Sequence, residues 1–506
     1  MTSLPTLIVS FALIALVLTA LTRWAKKTDN LFLTFLQYFC GVWFVFSGAV
    51  KAIDPIGTAY KMEDYFVAFE NTFGGLQNMF AGLAPMFPAL AKYSAGFSIG
   101  MIVLEIALGV MLILGYTKRL TAWLFFIILL FFTFLTGFTY LTGFVPAEAN
   151  FFDFAKWGPY VKTQMRVTDC GCFGDFIKLD PKVSFLKDVG LMVPAFVFLF
   201  RSKNMHQLFT AKGRNMLTAG VALFSLLFCL RNTYYDLPVV DFRPFKLGTN
   251  IRERKALEEE ARGNIEIVGW LMENTNTGEV KEVMIPMSRY KELVAQYPKD
   301  KGWKIKDQIK TDPFIEKDGV RTTIEETKIS DFGIESENGP VTEDILNEKG
   351  YSMMVIAYKF YGQKTTETIV VQDTTWAYDT LRVNVDSIQI QPKIAEVVPK
   401  KVKRDIYIPD AWYGDLFRNQ INPLAEAAKK AGWKVFAVNT IQDMEVAELM
   451  RANVGAKYPF YHGDDKLLKT IIRSNPGIVI LKDGAVVGQY HWRHFPSETQ
   501  LLELHK

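Results

Sequence analysis

The sequence predicts an α-helical integral membrane bundle of about six spans, followed by a soluble α+β region that ends in an α/β domain. Three observations carry this expectation. Up to about Arg231 the chain is dominated by Leu, Phe, Val, Ala and Gly, in apolar runs that meet the ~20-residue requirement for crossing a bilayer. Beyond Arg231 charged and polar residues dominate and no such run recurs. There, strand-like and helix-like patterns follow one another between turn signals. A length of 506 residues leaves room for two or three domains, and a net charge of +4 offers no case for a nucleic-acid partner. A Gly-rich phosphate loop, HExxH and zinc-finger spacing are all missing, so no cofactor is assigned.

The spans are drawn at residues 4–22, 31–50, 95–115, 120–141, 184–200 and 215–230. Arg23, Lys26 and Lys27 follow the first, Lys118 and Arg119 fill the turn after the third, and Arg201, Lys203, Lys212 and Arg214 separate the last two. These connections fall on one face when the N-terminus starts outside, and positive charge marks that face as cytoplasmic. Both chain ends then lie on the other side, expected to be the periplasm of a bacterial inner membrane. The first span has no basic residue before it and no convincing small-residue cleavage site after it, so it reads as a retained helix. Residues 62–93 hold apolar clusters broken by Gly74, Gly75, Gly82, Pro85 and Pro88, and read as helices on the outer surface.

Between the fourth and fifth spans lies Asp169-Cys170-Gly171-Cys172-Phe173-Gly174-Asp175, with two of the four cysteines in the chain. Two glycines and two aspartates make it a tight polar turn carrying two thiols. On an oxidising face such thiols can form a disulfide, and one closed through a single residue is strained and exchange-prone. Cys170 and Cys172 are therefore the candidate redox pair. Glu105 lies mid-span, where a carboxylate must face the bundle interior, be protonated or pair with a donor; it reads as an interhelical hydrogen bond or a proton acceptor for the thiols. Lys51 closes the second span, where it snorkels or lowers a thiol pKa. Lys178 and Lys187 are further candidate activators, and Asp169 and Asp175 oppose them. Cys40 reads as a small apolar core residue, and Cys229, near the outer end of the sixth span, as the one nearby reserve that could reach the turn.

Phe46-Ser47-Gly48-Ala49-Val50-Lys51 with Asp54-Pro55, then Glu105, then the cysteine turn, resembles the MauE/DoxX family of redox-associated membrane proteins. The resemblance spans residues 31–231, with the cysteine turn as its most specific part. It implies a compact four-helix core with cysteines at the outer helix ends, to which residues 1–30 add a helix. Members of the MauE type are implicated in maturing disulfide-rich periplasmic enzymes of methylamine oxidation, so the resemblance implies a redox theme without a substrate.

The soluble region divides into a linker and small α+β module at 232–350 and a last domain at 351–506. The Asp241-Phe242-Arg243-Pro244-Phe245 strap opens the first part and resembles DoxX-like proteins of Bacteroidetes. A charged helix at 252–262 follows, and strands at 265–272 and 280–286 flank the turn Glu273-Asn274-Thr275-Asn276-Thr277-Gly278. The last domain reads as strand 351–360, helix 415–431 stopped by Gly432, strand 433–439, helices 444–452 and 466–472, and a hairpin of 477–481 with 485–491. With Asn475-Pro476-Gly477 before the hairpin, this order resembles the thioredoxin fold. The resemblance implies a cis bond at Pro476 and a partner-docking groove beside Asn475 and Pro476. The family's Cys-x-x-Cys is missing: the interval 361–412 is an insertion without cysteine, and none occurs after Cys229. The domain cannot exchange dithiols by itself. His491 and His494 lack a third ligand, and no metal is assigned.

The function expected is thiol–disulfide redox or maturation of envelope proteins, by a membrane-anchored chain facing the periplasm. Its expected partners are the lipid bilayer and an envelope protein. The alternative is a non-enzymatic scaffold that binds other subunits through the cysteine-free domain. Few polar residues in the spans and no internal repeat weigh against a transporter.

Overall fold

The computed structural model describes residues 3–28, 30–76, 79–384 and 387–504, with only the backbone given for residues 367 and 369–405. The chain divides into two compact units, Met1–Arg243 with Glu260–Glu325, and Pro244–Glu259 with Glu326–Lys506.

In the first unit, six helices among the described residues are long and apolar enough to cross a membrane. They are α1 (Leu4–Trp24), α2 (Leu31–Ile53), α5 (Ser94–Leu114), α6 (Lys118–Leu141), α7 (Pro181–Arg201) and α8 (Ala211–Leu230), each within a few residues of its expected span. Val9, Leu13 and Leu16 on α1, and Leu223, Phe224 and Leu227 on α8, are exposed. Such apolar outer faces are stable only against lipid, so the chain is a multi-pass membrane protein.

Residues 62–93 differ from expectation. Helix α3 (Pro55–Gly74) starts seven residues earlier and forms one continuous helix of 20 residues, and α4 (Met86–Ala91) follows it. The cause is local. Pro55 occupies the first helical turn, and Asp54 Oδ1 accepts from the Gly57 amide at 2.9 Å, so the chain restarts as a helix at once. Tyr65, Ala68 and Phe69 of α3 pack with Phe87 and Phe138.

The two ends of the bundle differ in charge. Lys118 Nζ donates to the Lys203 carbonyl at 3.0 Å, and the His206 amide to Gln37 Oε1 at 2.9 Å. These bonds gather the basic connections at the end where α2 begins and α5 stops. At the opposite end, where α2 stops, Asn232 Nδ2 donates to the carbonyls of Ala52 and Ile53 at 3.0 and 3.1 Å. The cysteine turn sits at this second end, since Ser47 Oγ donates to the Cys172 carbonyl at 3.0 Å. The first unit also holds part of α9 (Ile251–Gly263), the strands β1 (Ile267–Asn274), β2 (Val280–Val283) and β3 (Trp303–Lys310) in the order β2-β1-β3, α10 (Tyr290–Gln296), and the hairpin β4 (Phe314–Lys317) with β5 (Val320–Thr323).

The second unit is built on a mixed sheet. Its strands are β6 (Ile334–Ser336), β7 (Gly339–Pro340), β8 (Tyr351–Ile356), β11 (Lys434–Asn439), β12 (Phe460–Gly463), β13 (Gly477–Lys482) and β14 (Ala485–His491), in the order β14-β13-β8-β11-β12-β6-β7. β8, β11 and β12 run parallel, β13 runs antiparallel to β8, and β14 antiparallel to β13. Every residue of β8 is buried, as a central strand covered on both faces requires. Around the sheet lie α11 (Thr342–Leu346), α12 (Ala411–Leu416), α13 (Asn422–Lys430), α14 (Met444–Asn453), α15 (Asp465–Ile471) and α16 (Glu498–Glu503). A π-helical turn at Phe417–Ile421 joins α12 to α13, so the helix expected at 415–431 begins earlier, at Ala411. The 361–412 interval is a paired hairpin of β9 (Gly362–Asn384) and β10 (Ser387–Pro409).

Candidate dithiol site

The turn at 169–175 is held by its own polar residues. Asp169 Oδ1 accepts from the Gly171 amide at 3.0 Å, while Asp169 Oδ2 lies 3.3 Å from Lys61 Nζ on α3. Gly171 and Gly174 take φ of +62° and +54°, a region that suits glycine. A Cβ on Gly171 would also meet the Lys61 stem at 3.2 Å.

This geometry turns the two thiols toward each other and toward α7. The four cysteines are all free thiols. Cys172 Sγ lies 3.3 Å from Cys170 Sγ, which lies 2.9 Å from Ser184 Oγ. Once ionised, Cys170 receives both hydrogens. The Cys172 thiol is the larger influence and Ser184 adds to it; together they outweigh burial and Asp169 and bring the Cys170 pKa down to about 7. Cys172 is pushed the other way, first by donating to Cys170 and then by burial. One sulfur thus favours the thiolate and its neighbour the protonated thiol. Lys61 is held above its ordinary value: burial opposes its charge, but Asp169, Asp64 and Asp175 prevail.

Both sulfurs line a cavity of about 560 Å³ inside the bundle. Lys51 and Glu105 share it, joined by a buried ion pair at 2.7 Å. Lys51 also lies over the Phe132 ring, 5.0 Å from its centroid. Of the two roles weighed for Lys51, snorkelling does not occur: α5 brings a carboxylate to it instead. Lys187 and Asp188 form a second buried pair at 2.5 Å, and Thr136 Oγ1 donates to Asp188 at 3.0 Å. Lys178, by contrast, is exposed. Cys40 is buried in the aromatic core of the bundle. Cys229 packs with Ala52, Ile99, Ile102 and Ile106, in a cluster that does not include the pair.

The sequence reading missed Lys61, Thr136, Ser184 and Asp188. For Asp188 a signal existed: an acid beside Lys187 inside an apolar span needs a partner. Ser184 and Lys61 carried no such signal. In the second unit the Asn475–Pro476 bond is cis. Asn475 Nδ2 donates to the Lys359 carbonyl at 2.7 Å, and Asn475 Oδ1 accepts from the Lys359 amide at 3.3 Å. The residues just after β8 are therefore tied to those just before β13. Pro476 and Asn475 are far in sequence from the thiols and belong to the other unit.

These features define a multi-pass membrane protein with a dithiol turn over a cavity that holds buried ion pairs. Residues 29–147 match the family model described as Methylamine utilisation protein MauE, and this stretch, from α2 through α6, is a MauE-family membrane domain. It includes Lys51 and Glu105 but stops short of Cys170 and Cys172. No curated protein matches the chain, and no solved structure does.

Proposed function

We propose that this chain is a membrane-anchored accessory protein that performs thiol–disulfide exchange at Cys170 and Cys172 and so supports the redox state or maturation of envelope proteins. The observation that carries the reading is the thiol pair itself. Two sulfurs 3.3 Å apart, one favouring thiolate and its neighbour the protonated form, are poised to attack a disulfide and then resolve the mixed intermediate. The basic residues of one bundle end support a cytoplasmic assignment for it and a periplasmic one for the thiol turn and the C-terminal region, in the inner membrane.

The second unit takes a thioredoxin-like role in partner docking. The order β11-β8-β13-β14, with a cis-proline before β13, supports the likeness. A groove beside Asn475 and Pro476 would hold an envelope protein, while exchange is left to the membrane thiols. The absence of any cysteine after Cys229 favours a second reading, a scaffold in which this unit only binds subunits.

Replacing Cys170 and Cys172 by serine, singly and together, followed by acid quenching and thiol trapping in cells, separates the readings. Cys172→Ser should accumulate a mixed disulfide through Cys170, and both single variants should lose function. Variants that retain full function and trap nothing would leave only the scaffold.

A further inference from the structure

The cavity beneath the thiols is larger than exchange between two cysteines and a soluble partner requires. Its roughly 560 Å³ falls in the range of ~300–1,000 Å³ usual for small-molecule sites. Its wall is mainly aromatic and aliphatic, with Phe66, Phe69, Met101 and Phe132 among the lining residues. On α5 the wall is bare: a Cβ built on Gly96 or Gly100 meets nothing within 4 Å. Phe97 and Leu104 of α5 and Phe131 of α6 line the cavity and are also 47%, 37% and 44% exposed. The space therefore opens between α5 and α6 onto the apolar outer surface of the bundle, so a ligand enters from lipid. Inside, the Lys51–Glu105 and Lys187–Asp188 pairs, with Lys61, supply ammonium donors in a mainly apolar space.

We propose that this cavity binds a membrane-soluble quinone, which accepts the electrons of the Cys170–Cys172 dithiol. The proposal rests on the thiol–disulfide reading above. Oxidising the dithiol breaks two S–H bonds and forms one S–S bond, releasing two electrons and two protons. A quinone takes all four at its two carbonyl oxygens and leaves as the hydroquinone. Its flat ring stacks on the phenylalanine walls, its tail lies in the opening toward lipid, and a lysine ammonium stabilises negative charge developing on a carbonyl oxygen. An acyl chain would fill the same space but could neither accept the electrons nor use the ion pairs. The disulfide formed in this way then oxidises an envelope dithiol, which returns the pair to its reduced state.

The test uses the purified full-length protein in lipid nanodiscs, reduced and freed of reductant. A short-tailed ubiquinone or menaquinone analogue is added, while quinone absorbance and the alkylatable thiols at Cys170 and Cys172 are followed together. Expected is loss of one quinone for each dithiol oxidised. In Gly100→Leu, whose side chain enters open space, the reaction should slow by at least about tenfold. Unchanged alkylation of Cys170 in that variant reports an intact turn. Oxidation of the wild-type pair by a soluble disulfide but not by either quinone, or equal quinone rates in wild type and Gly100→Leu, overturns the proposal and leaves the exchange reading standing. Oxidation by neither reagent overturns both.

Discussion

Cys170 and Cys172 are chemically unlike although only Gly171 separates them. Once ionised, Cys170 receives hydrogens from Cys172 and Ser184, which brings its pKa down to about 7. Iodoacetamide should therefore modify it with a rate that rises with pH and is half-maximal near pH 7. In Cys172→Ala the loss of the donor should move that midpoint upward, toward the ordinary thiol value of about 8.5. Pulsed alkylation read by mass spectrometry measures both, and a wild-type midpoint at the ordinary value would refute the asymmetry. The Lys51–Glu105 pair makes a different claim, on stability. Lys51→Met leaves a buried carboxylate without its partner, which should destabilise the bundle by about 3–5 kcal/mol, while Lys51→Met with Glu105→Leu should recover most of the loss. Thermal unfolding of the solubilised protein ranks the three forms. Each of these four residues was legible as unusual, because a thiol turn or a charge stands out among leucines. Their partners were less so. Lys51 and Glu105 lie 54 residues apart, and only the packing of α2 on α5 pairs them. Ser184 looks like any helix serine until the turn lies over it.

That packing depends on glycines at the α2–α5 seam. A Cβ on Gly109 would come within 2.7 Å of the Gly41 carbonyl oxygen, and one on Gly48 within 2.6 Å of the Ile106 side chain. Small residues let the two backbones approach, the usual basis of close helix association in lipid. Gly109→Leu should therefore force the helices apart and cost at least about 1–3 kcal/mol, seen as a lower unfolding midpoint. Gly100→Leu, nine residues away on the same helix, should keep the wild-type midpoint because its side chain enters open space. Equal effects of the two would show that α5 does not pack as described. In sequence these glycines look alike, since apolar runs reveal where a span lies and not which face meets a neighbour. The restart at Pro55 was more readable: Asp54-Pro55 is a helix-start signal, overshadowed by the polar residues that follow it. The β9–β10 hairpin passed as an insertion because residues 384–387 read Asn-Val-Asp-Ser, without the Asn-Gly or Asp-Gly pair that marks a tight turn.

At the scale of the whole chain, the main question is which side of the membrane each region occupies. Residues 115–119 and 201–214 carry Lys118, Arg119, Arg201, Lys203, Lys212 and Arg214 and no acid, and the Lys118–Lys203 bond holds the two stretches together. The opposite end mixes both signs: Asp54, Asp169, Asp175 and Asp180 stand among Lys61, Lys178 and Lys182. Lysine and arginine at helix ends resist translocation, which predicts a cytoplasmic place for the end richer in them. With α7 and α8 as the two spans between them, the thiol turn and the C-terminal region are then predicted on one side. A fluorescent protein that matures only in the cytoplasm should glow when inserted after Lys203 and stay dark when fused after Lys506. Alkaline phosphatase, active only outside, should give the reverse pattern. Cytoplasmic fluorescence from the Lys506 fusion would put the second unit and the thiols in a reducing compartment, where disulfides do not persist. Thiol–disulfide exchange with envelope proteins would then have no substrate, so this one measurement bears on function as well as on topology.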